Sequence, residues 1–264
     1  MFWSKILRFF SEDIAMDLGT ANTLLYTRDG GIIVNEPSVV AIDTRNNEVL
    51  AVGSEAKRAR GRTPKRIKTI RPMKSGVIAD FDTTSRMIVY FVNKAIGRSH
   101  LVKPSLVISV PTGITGVEKK AVIDAAATAG AGRVSLIEEP MAAAIGADLP
   151  VTEPVGTLIA DIGGGTSEVA VITMSAITVS QSIRIAGDAM NEILLRMLRD
   201  KYRLDVGENT AEHLKILLGS TQPVPDLPDY AEISGRDLVS GVPMTKKVTS
   251  EDVRLALKEP VEEI

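Results

Sequence analysis

The sequence contains no cysteine and only two histidines among its 264 residues. The absence of thiols excludes disulfides, thiolate metal sites and a cysteine nucleophile, and it fits a reducing compartment. His100 and His213 are far apart in the chain, which argues against a histidine metal cluster. No run of about 20 apolar residues is present, so no transmembrane helix is expected. The net charge of −2 gives no general reason to expect nucleic-acid binding.

Aromatic residues are also scarce, yet four of the ten lie within the first ten positions. On a helical projection, residues 2–12 separate into a polar arc and an apolar arc. The apolar arc consists of Phe2, Trp3, Ile6, Leu7, Phe9 and Phe10. This pattern predicts a membrane-binding segment at 1–12, an amphipathic helix that lies in the membrane surface. The alternative is a terminal helix that docks against the protein's own core.

Positive charge is concentrated near the start of the chain. Residues 1–75 contain 13 Lys/Arg and 8 Asp/Glu, and the stretch 57–74 has nine basic residues and no acidic one. Nucleic-acid binding would favour aromatic residues between the basic ones, and there are none. The stretch is therefore interpreted as a solvated rim, and contact with anionic lipid or an acidic partner is the alternative.

The pattern of apolar residues predicts alternating strands and helices, and therefore an α/β fold. The predicted strands are 14–17, 22–26, 32–35, 39–43, 106–110, 134–137, 168–173, 177–180 and 182–185. The predicted helices are 84–96, 117–129, 141–147 and 189–202. Residues 53–80 are basic and rich in turns, and 151–154 is interpreted as a linker.

The opening pattern of the chain recurs after 144 residues. The segment that starts at Ile14 and contains Asp17 and Gly19 matches the segment that starts at Leu158 and contains Asp161 and Gly163. Such a duplication implies two similar α/β lobes. The first copy has 144 residues and the second only 107, so we expect the second lobe to be incomplete.

Each copy contains an aspartate at the end of an apolar strand, followed by a glycine turn. Backbone N–H groups and hydroxyls in such a turn can surround a phosphate, because glycine removes the Cβ that would prevent close approach. Asp17 and Asp161 could then hold a hydrated Mg²⁺, which prefers carboxylates, water and phosphate oxygens. Neither a P-loop nor a G-x-G-x-x-G signature after the first strand is present.

Glu139 lies between the two turns, immediately before Pro140 and a helix of small residues. A carboxylate in this place could orient or deprotonate a water molecule. Alternatively, it could serve as an acidic group at the N-terminus of the helix, where it would interact favourably with the helix dipole.

Five motifs that occur in order resemble the MreB family of bacterial actin homologues, which belongs to the actin, sugar-kinase and heat-shock-chaperone ATPase superfamily. They begin at Asp17 (DLGTANT), Asn35 (NEPSVVAI), Arg71 (RPMKSGVIADFD), Ile137 (IEEPMAAAIGA) and Asp161 (DIGGGTSEVA). The resemblance implies an actin-like fold of two RNase-H-like lobes around an ATP·Mg²⁺ cleft. The first lobe would span 13–150, with a small subdomain at about 35–80, and the second would span 151–264.

The resemblance also implies roles for individual residues. Glu139 would activate the attacking water with help from Thr166, and Asp17 and Asp161 would hold Mg²⁺ through water. The first phosphate loop would comprise Asp17, Gly19, Thr20, Ala21 and Asn22. The second would comprise Asp161, Gly163, Gly164, Gly165 and Thr166. The adenosine end would be held at Glu212, His213, Leu214 and Lys215, where Glu212 and Lys215 share one helix face.

The function implied is that of an actin-like ATPase whose membrane-associated filaments determine rod shape by guiding peptidoglycan synthesis. Its partners would be further copies of itself, the inner face of the cytoplasmic membrane and the cell-wall elongation machinery, and no nucleic acid. The alternatives are a chaperone-type ATPase domain of the same superfamily, a small-molecule kinase, and an inactive truncated fragment.

Overall fold

A computed structural model describes residues 13–59, 64, 66–96 and 103–264. The chain forms two compact units, of which the first extends to Arg184 and the second comprises Ile185–Ile264. The division into lobes at 150/151 stays a prediction. No helix within the described ranges is both long and apolar enough to cross a membrane. Residues 1–12, which carry the predicted amphipathic segment, lie outside the described part of the chain.

The first unit contains a five-stranded sheet. Its strands are β1 (Asp13–Leu18), β2 (Asn22–Thr27), β3 (Gly31–Pro37), β9 (Ser105–Val110) and β10 (Arg133–Glu138). They lie in the order β10-β9-β1-β2-β3. Because β1 pairs in parallel with β9 and antiparallel with β2, the sheet is mixed.

Two helices cover one face of this sheet, α2 (Phe81–Ile96) and α3 (Gly116–Thr128). Alternate residues of β1, Ile14, Met16 and Leu18, are buried against them, which leaves Asp17 on the opposite face. α3 begins with a capping box between Thr115 and Glu118, which satisfies backbone donors at the helix start.

A smaller part of the first unit contains a second sheet, a short helix and a short hairpin. Its sheet has the order β5-β4-β6. The elements are β4 (Val40–Asp43), β5 (Glu48–Val52), α1 (Ser54–Ala59), β6 (Ile67–Ile70), β7 (Met73–Lys74) and β8 (Val77–Ile78). Residues 53–80, interpreted as turn-rich, therefore include a helix and three short strands. These short elements bury only single apolar residues and therefore show no long periodic pattern in the sequence. Pro64, Pro72 and the many charged residues make the segment resemble a loop instead.

The last part of the first unit repeats its opening meander. α4 (Glu139–Gly146) is followed by β11 (Thr157–Ile162), β12 (Ser167–Thr173) and β13 (Ala176–Ile183), which form a three-stranded antiparallel sheet. The two strands predicted at 177–180 and 182–185 are one strand, β13. A β-bulge at Val171/Ile172 changes the register between β12 and β13, and a polar residue at Gln181 does not interrupt the pairing.

The second unit has its own apolar core between three helices and a small antiparallel sheet. The sheet has the order β14-β15-β16. The elements are α5 (Gly187–Tyr202), β14 (Leu204–Asp205), α6 (Glu208–Leu218), β15 (Tyr230–Asp237), β16 (Pro243–Thr249) and α7 (Ser250–Glu263). Of these, α5 was predicted as a helix, and α6 confirms the helix on which Glu212 and Lys215 were expected to share a face.

Candidate functional site

The two glycine turns connect strand pairs of identical register. Leu18 is paired with Thr23 across the first turn, and Ile162 with Ser167 across the second, so each turn contains four residues. The offset is 144 residues at both positions. Asp17 and Asp161 therefore occupy equivalent places, one residue before the last paired residue of their strands. The repeat read from the sequence is a repeat of structure as well.

Glycine is required in both turns because the chain approaches other groups closely. A Cβ on Gly19 would lie 2.6 Å from the carbonyl oxygen of Asn22, and the Gly163 N–H donates to the Thr166 carbonyl at 2.9 Å. The turns also contact each other. A Cβ on Gly164 would lie 2.6 Å from the Ala21 Cβ, too close for any side chain. The first unit therefore brings the two predicted phosphate loops together.

A third segment, missed by the sequence analysis, supports both turns. β7 and β8 are joined by a two-residue turn at Ser75 and Gly76, both with positive φ. The Gly76 N–H donates to the Thr20 Oγ1 at 2.8 Å. A Cβ on Gly165 would lie 2.9 Å from the Ser75 Cα. The Ser-Gly pair between Met73-Lys74 and Val77-Ile78 is a turn signal that could have identified this hairpin.

Asp17 lies on the face of the five-stranded sheet away from α2 and α3, where neighbouring segments remove much of its surrounding water without covering it completely. Ser109, its neighbour on β9, donates a hydrogen bond from Oγ to the Asp17 Oδ1 at 3.0 Å. The pKa of Asp17 is raised, because loss of surrounding water disfavours its charge; the Ser109 hydrogen bond opposes this shift and the charge of Asp161 adds to it. The two aspartates are therefore close enough to repel each other.

Glu139 is the first residue of α4, which packs against β10, β11 and β12. Its pKa is raised to about 8, chiefly by burial and further by the negative charges of Glu168, Asp17 and Asp161. Four carboxyl groups therefore surround one region of the first unit. Among the described residues, no lysine or arginine forms an ion pair with any of them. The region is suited to a cation.

The donor set fits a hydrated Mg²⁺ better than a metal held by protein alone. Within the described ranges no group of three or more His, Cys, Asp or Glu side chains is arranged to bind a metal. Two aspartates beside glycine turns leave most coordination positions to water and phosphate oxygens, as Mg²⁺ prefers.

Glu168 is a buried member of this group that the sequence analysis did not identify. It lies on β12 directly opposite Asp161 and is 1% exposed. The constant offset of 144 places it at the position of Leu24, and this change from leucine to glutamate in the second copy is a signal that could have identified it.

A cavity of about 270 Å³ lies beside the second turn, within the first unit. Hydroxyl groups and one guanidinium dominate its lining, which includes Ser75, Thr112, Thr166, Ser180, Ser182 and Arg184. The Thr166 side chain, predicted to assist catalysis, is buried in its wall.

The residues predicted to hold the adenosine end lie on α6 of the second unit. Leu214 is fully buried in the core of that unit, whereas His213 is exposed. The Lys215 ammonium donates to the Gly187 carbonyl at 2.9 Å. The assignment of Glu212, His213, Leu214 and Lys215 to a nucleotide stays a prediction.

The duplicated meanders, each with an aspartate before a tight glycine turn, define an actin-like protein. The sequence profile of the MreB/Mbl protein family matches residues 11–264, and the chain belongs to that family. This confirms the family predicted from the five motifs.

Named relatives agree with this assignment. The chain is 47% identical over 252 residues to the cell shape-determining protein Mbl of Bacillus subtilis, covering 96% of this chain and 75% of Mbl. It is 46% identical over 262 residues to the cell shape-determining protein MreB of Escherichia coli K12, covering 97% and 75%. The chain thus spans about three quarters of the length of these relatives.

Solved structures confirm the predicted actin-like fold. The crystal structure of MreB5 of Spiroplasma citri bound to AMPPNP superposes with a TM-score of 0.89 at 33% identity, covering 96% of this chain and 76% of MreB5. MreB5 has also been solved with ADP. MamK, in a double helical filament, gives a TM-score of 0.78 at 21% identity, which supports the fold alone.

Proposed function

We propose that this protein is a cytoskeletal ATPase that assembles into filaments at the inner face of the cytoplasmic membrane and determines cell shape by guiding peptidoglycan synthesis. The observation that carries the proposal is the direct contact of two glycine turns, at Gly164 and Ala21, beside Asp17, Asp161 and Glu139. The AMPPNP and ADP complexes of MreB5 support ATP as the nucleotide.

The glycine turns would bind the phosphates through backbone N–H groups. Asp17 and Asp161 would hold Mg²⁺ through water, and when bound the ion would supply positive charge to the phosphate oxygens. The Thr20 hydroxyl accepts a hydrogen bond from the Gly76 N–H, which supports the first turn, and its own O–H would remain available to a phosphate oxygen.

Glu139 would orient the attacking water and accept its proton. This role needs the ionised carboxylate, whereas the raised pKa of Glu139 favours the neutral form at pH 7. Two of the three charges that raise this pKa belong to Asp17 and Asp161, the proposed Mg²⁺ residues. Offsetting these two charges would lower the pKa of Glu139 and favour its ionised form, although burial and the charge of Glu168 would still raise that pKa.

Filament formation is supported by the MreB/Mbl relatives and by the MamK filament. Membrane attachment rests on the apolar arc at residues 2–10, and contact with the wall-synthesis machinery rests on the family alone. A single short segment binds weakly, so attachment would depend on many copies in one filament.

Substitution of Glu139 tests the catalytic part of the proposal. Glu139→Ala should lower steady-state ATP turnover by about 10²-fold or more, because the water loses its base, and leave ATP affinity within a few-fold. Glu138→Ala is the matched control, since the adjacent carboxyl makes no side-chain cap contact. Unchanged turnover in Glu139→Ala would mean that Glu139 serves only as an acidic group at the N-terminus of α4, where it interacts with the helix dipole.

Negative-stain electron microscopy with ATP and anionic vesicles tests the cytoskeletal part. Filaments attached to the vesicles are expected with ATP. A nucleotide-binding protein that stays unassembled at all concentrations would favour the chaperone-type alternative.

A further inference from the structure

Glu168 is a buried carboxylate at a position that the fold does not require to be charged. Its side chain belongs to β12, where it is paired in register with Asp161. In the equivalent hairpin, Leu24 is paired with Asp17 in the same register. A leucine therefore satisfies this place in the meander. Burial of a charged group costs free energy unless hydrogen bonds compensate it, so the glutamate calls for an explanation.

The hydrogen-bond partner of Glu168 is Thr112, which follows the end of β9. The Thr112 N–H donates to both carboxylate oxygens, at 3.0 and 3.3 Å, and its hydroxyl is 3.0 Å from Oε1. Both donors are buried, so these contacts are shielded from water and well localised.

These contacts connect the two sheets that carry the aspartates, Asp17 on β1 and Asp161 on β11. β9 belongs to the five-stranded sheet and β12 to the three-stranded sheet, and the two sheets share no strand. On one side, Ser109 of β9 donates to Asp17. On the other, Glu168 lies opposite Asp161. A continuous path therefore runs from Asp17 through Ser109, Thr112 and Glu168 to Asp161.

We propose that Glu168 is a positioning residue that fixes the separation of Asp17 and Asp161 by binding Thr112, and thereby sets the affinity of the site for the Mg²⁺ complex of a nucleotide. This inference rests on the proposed function. Glu168 itself touches neither nucleotide nor metal in this scheme. It holds one sheet against the other beside the two aspartates, whose separation decides whether both reach the same hydrated ion.

The experiment measures binding of a fluorescent ATP analogue in Mg²⁺ and in EDTA. Glu168→Ala removes the hydrogen bonds, and Glu168→Gln keeps an oxygen that accepts from Thr112. The wild type should bind more tightly in Mg²⁺ than in EDTA. Glu168→Ala should weaken binding in Mg²⁺ by about 10-fold or more, the usual effect of removing a group that orients metal ligands. Its binding in EDTA should stay within about threefold, because the glycine turns remain.

Glu168→Gln separates position from charge. It should retain Mg²⁺-dependent affinity within about threefold of the wild type, since an amide oxygen replaces the carboxylate oxygen. Equal losses in the alanine and glutamine variants would mean that charge alone matters, and would overturn the proposal. An alanine variant with unchanged Mg²⁺ dependence would also overturn it.

Thr112→Val keeps the proposal falsifiable if Glu168→Ala does not fold, as judged by circular dichroism. Loss of the hydroxyl removes one hydrogen bond to Glu168 and should weaken Mg²⁺-dependent binding by about threefold or more. The effect should be smaller than that of Glu168→Ala, because the backbone N–H contact remains. Unchanged binding in Thr112→Val would count against the proposal. If the wild type binds no nucleotide in either condition, the proposed function is contradicted as well. If every variant shows normal Mg²⁺-dependent binding, only the proposed role of Glu168 is contradicted.

Discussion

At the scale of single residues, the main feature is the crowding of negative charge around Glu139. Burial and three neighbouring carboxyl groups raise its pKa to about 8, well above the ordinary value of a glutamate. The folded protein therefore keeps a proton on Glu139 that the unfolded chain releases above about pH 4.5. Because the unfolded state then binds fewer protons, the free energy of unfolding falls as the pH rises from about 4.5 to about 8.

Glu139→Gln should remove this pH dependence. The amide stays neutral, so the variant should be more stable than the wild type at pH 8, by roughly 1–3 kcal/mol, the range for burying a poorly compensated polar group. At pH 4 the carboxyl is protonated in most folded and unfolded wild-type molecules, so the difference should nearly vanish. Thermal unfolding by circular dichroism at pH 4, 6.5 and 8 measures it. A gain of the same size at every pH would contradict the ionisation explanation, and Glu138→Gln is the control.

At the scale of secondary-structure elements, Glu36 connects three of them in the first unit. From β3 it accepts hydrogen bonds from the Ser54 N–H and hydroxyl at the start of α1, at 2.8 and 2.5 Å. The Lys94 ammonium on α2 lies 2.6 Å from its other oxygen. Burial opposes the charge of Glu36, but the hydrogen bonds from Lys94 and Ser54 outweigh it and lower the pKa to about 2.

Glu36→Gln should therefore destabilise the protein at neutral pH, by about 1–3 kcal/mol for the loss of charged hydrogen bonds. A depressed pKa contributes stability that is fully present above the unfolded value of about 4.5 and is lost as the pH falls through about 2. The difference between variant and wild type should accordingly shrink below pH 4.5. Urea unfolding between pH 3 and 7 measures it, with Glu153→Gln as a control because that side chain is exposed. A difference that stays constant down to pH 3 would refute the ionic origin.

Secondary-structure elements were predicted correctly where the periodic pattern of apolar residues is long. They were missed where a few individual contacts determine the structure. The opening meander, α2, α3 and the repeat at offset 144 were predicted to within a few residues, because each has a regular alternation or a helical stripe. β15, β16 and α7 were missed. In β16, for example, the consecutive Lys246 and Lys247 interrupt any apolar alternation, and Val248 is the single buried residue. Glu168 was missed because its role depends on Thr112, 56 residues earlier, and no local pattern joins them.

At the scale of the whole molecule, the two duplicated meanders differ in how far their apolar side chains are buried. Ile14, Leu18 and Leu25 are buried in the first copy. Their equivalents at offset 144 are Leu158, Ile162 and Val169, which are 66%, 57% and 43% exposed. One face of the β11–β12–β13 sheet thus carries apolar side chains that the described part of this chain does not cover.

Membrane attachment can be followed through Trp3, the only tryptophan of the chain. Because the apolar arc at residues 2–10 would enter the headgroup region, Trp3 emission should shift to the blue on addition of anionic vesicles. Trp3 is lost in a variant that lacks residues 2–10, so vesicle co-sedimentation measures binding there, and it should fall sharply. Emission that ignores vesicles, or is blue-shifted before they are added, would instead support docking of the segment on the protein's own core.

The constant register of the two glycine hairpins has a genetic consequence. Because side chains alternate between the faces of a strand, one added or deleted codon in β11 or β12 turns every following residue to the opposite side. When the change falls between Asp161 and Glu168, these two residues can no longer face each other, however conservative the inserted amino acid. Substitutions at the outward positions of the same strands leave that register intact. A library of random mutants selected for function should therefore accept many codon replacements between positions 157 and 173, yet almost no in-frame insertions or deletions.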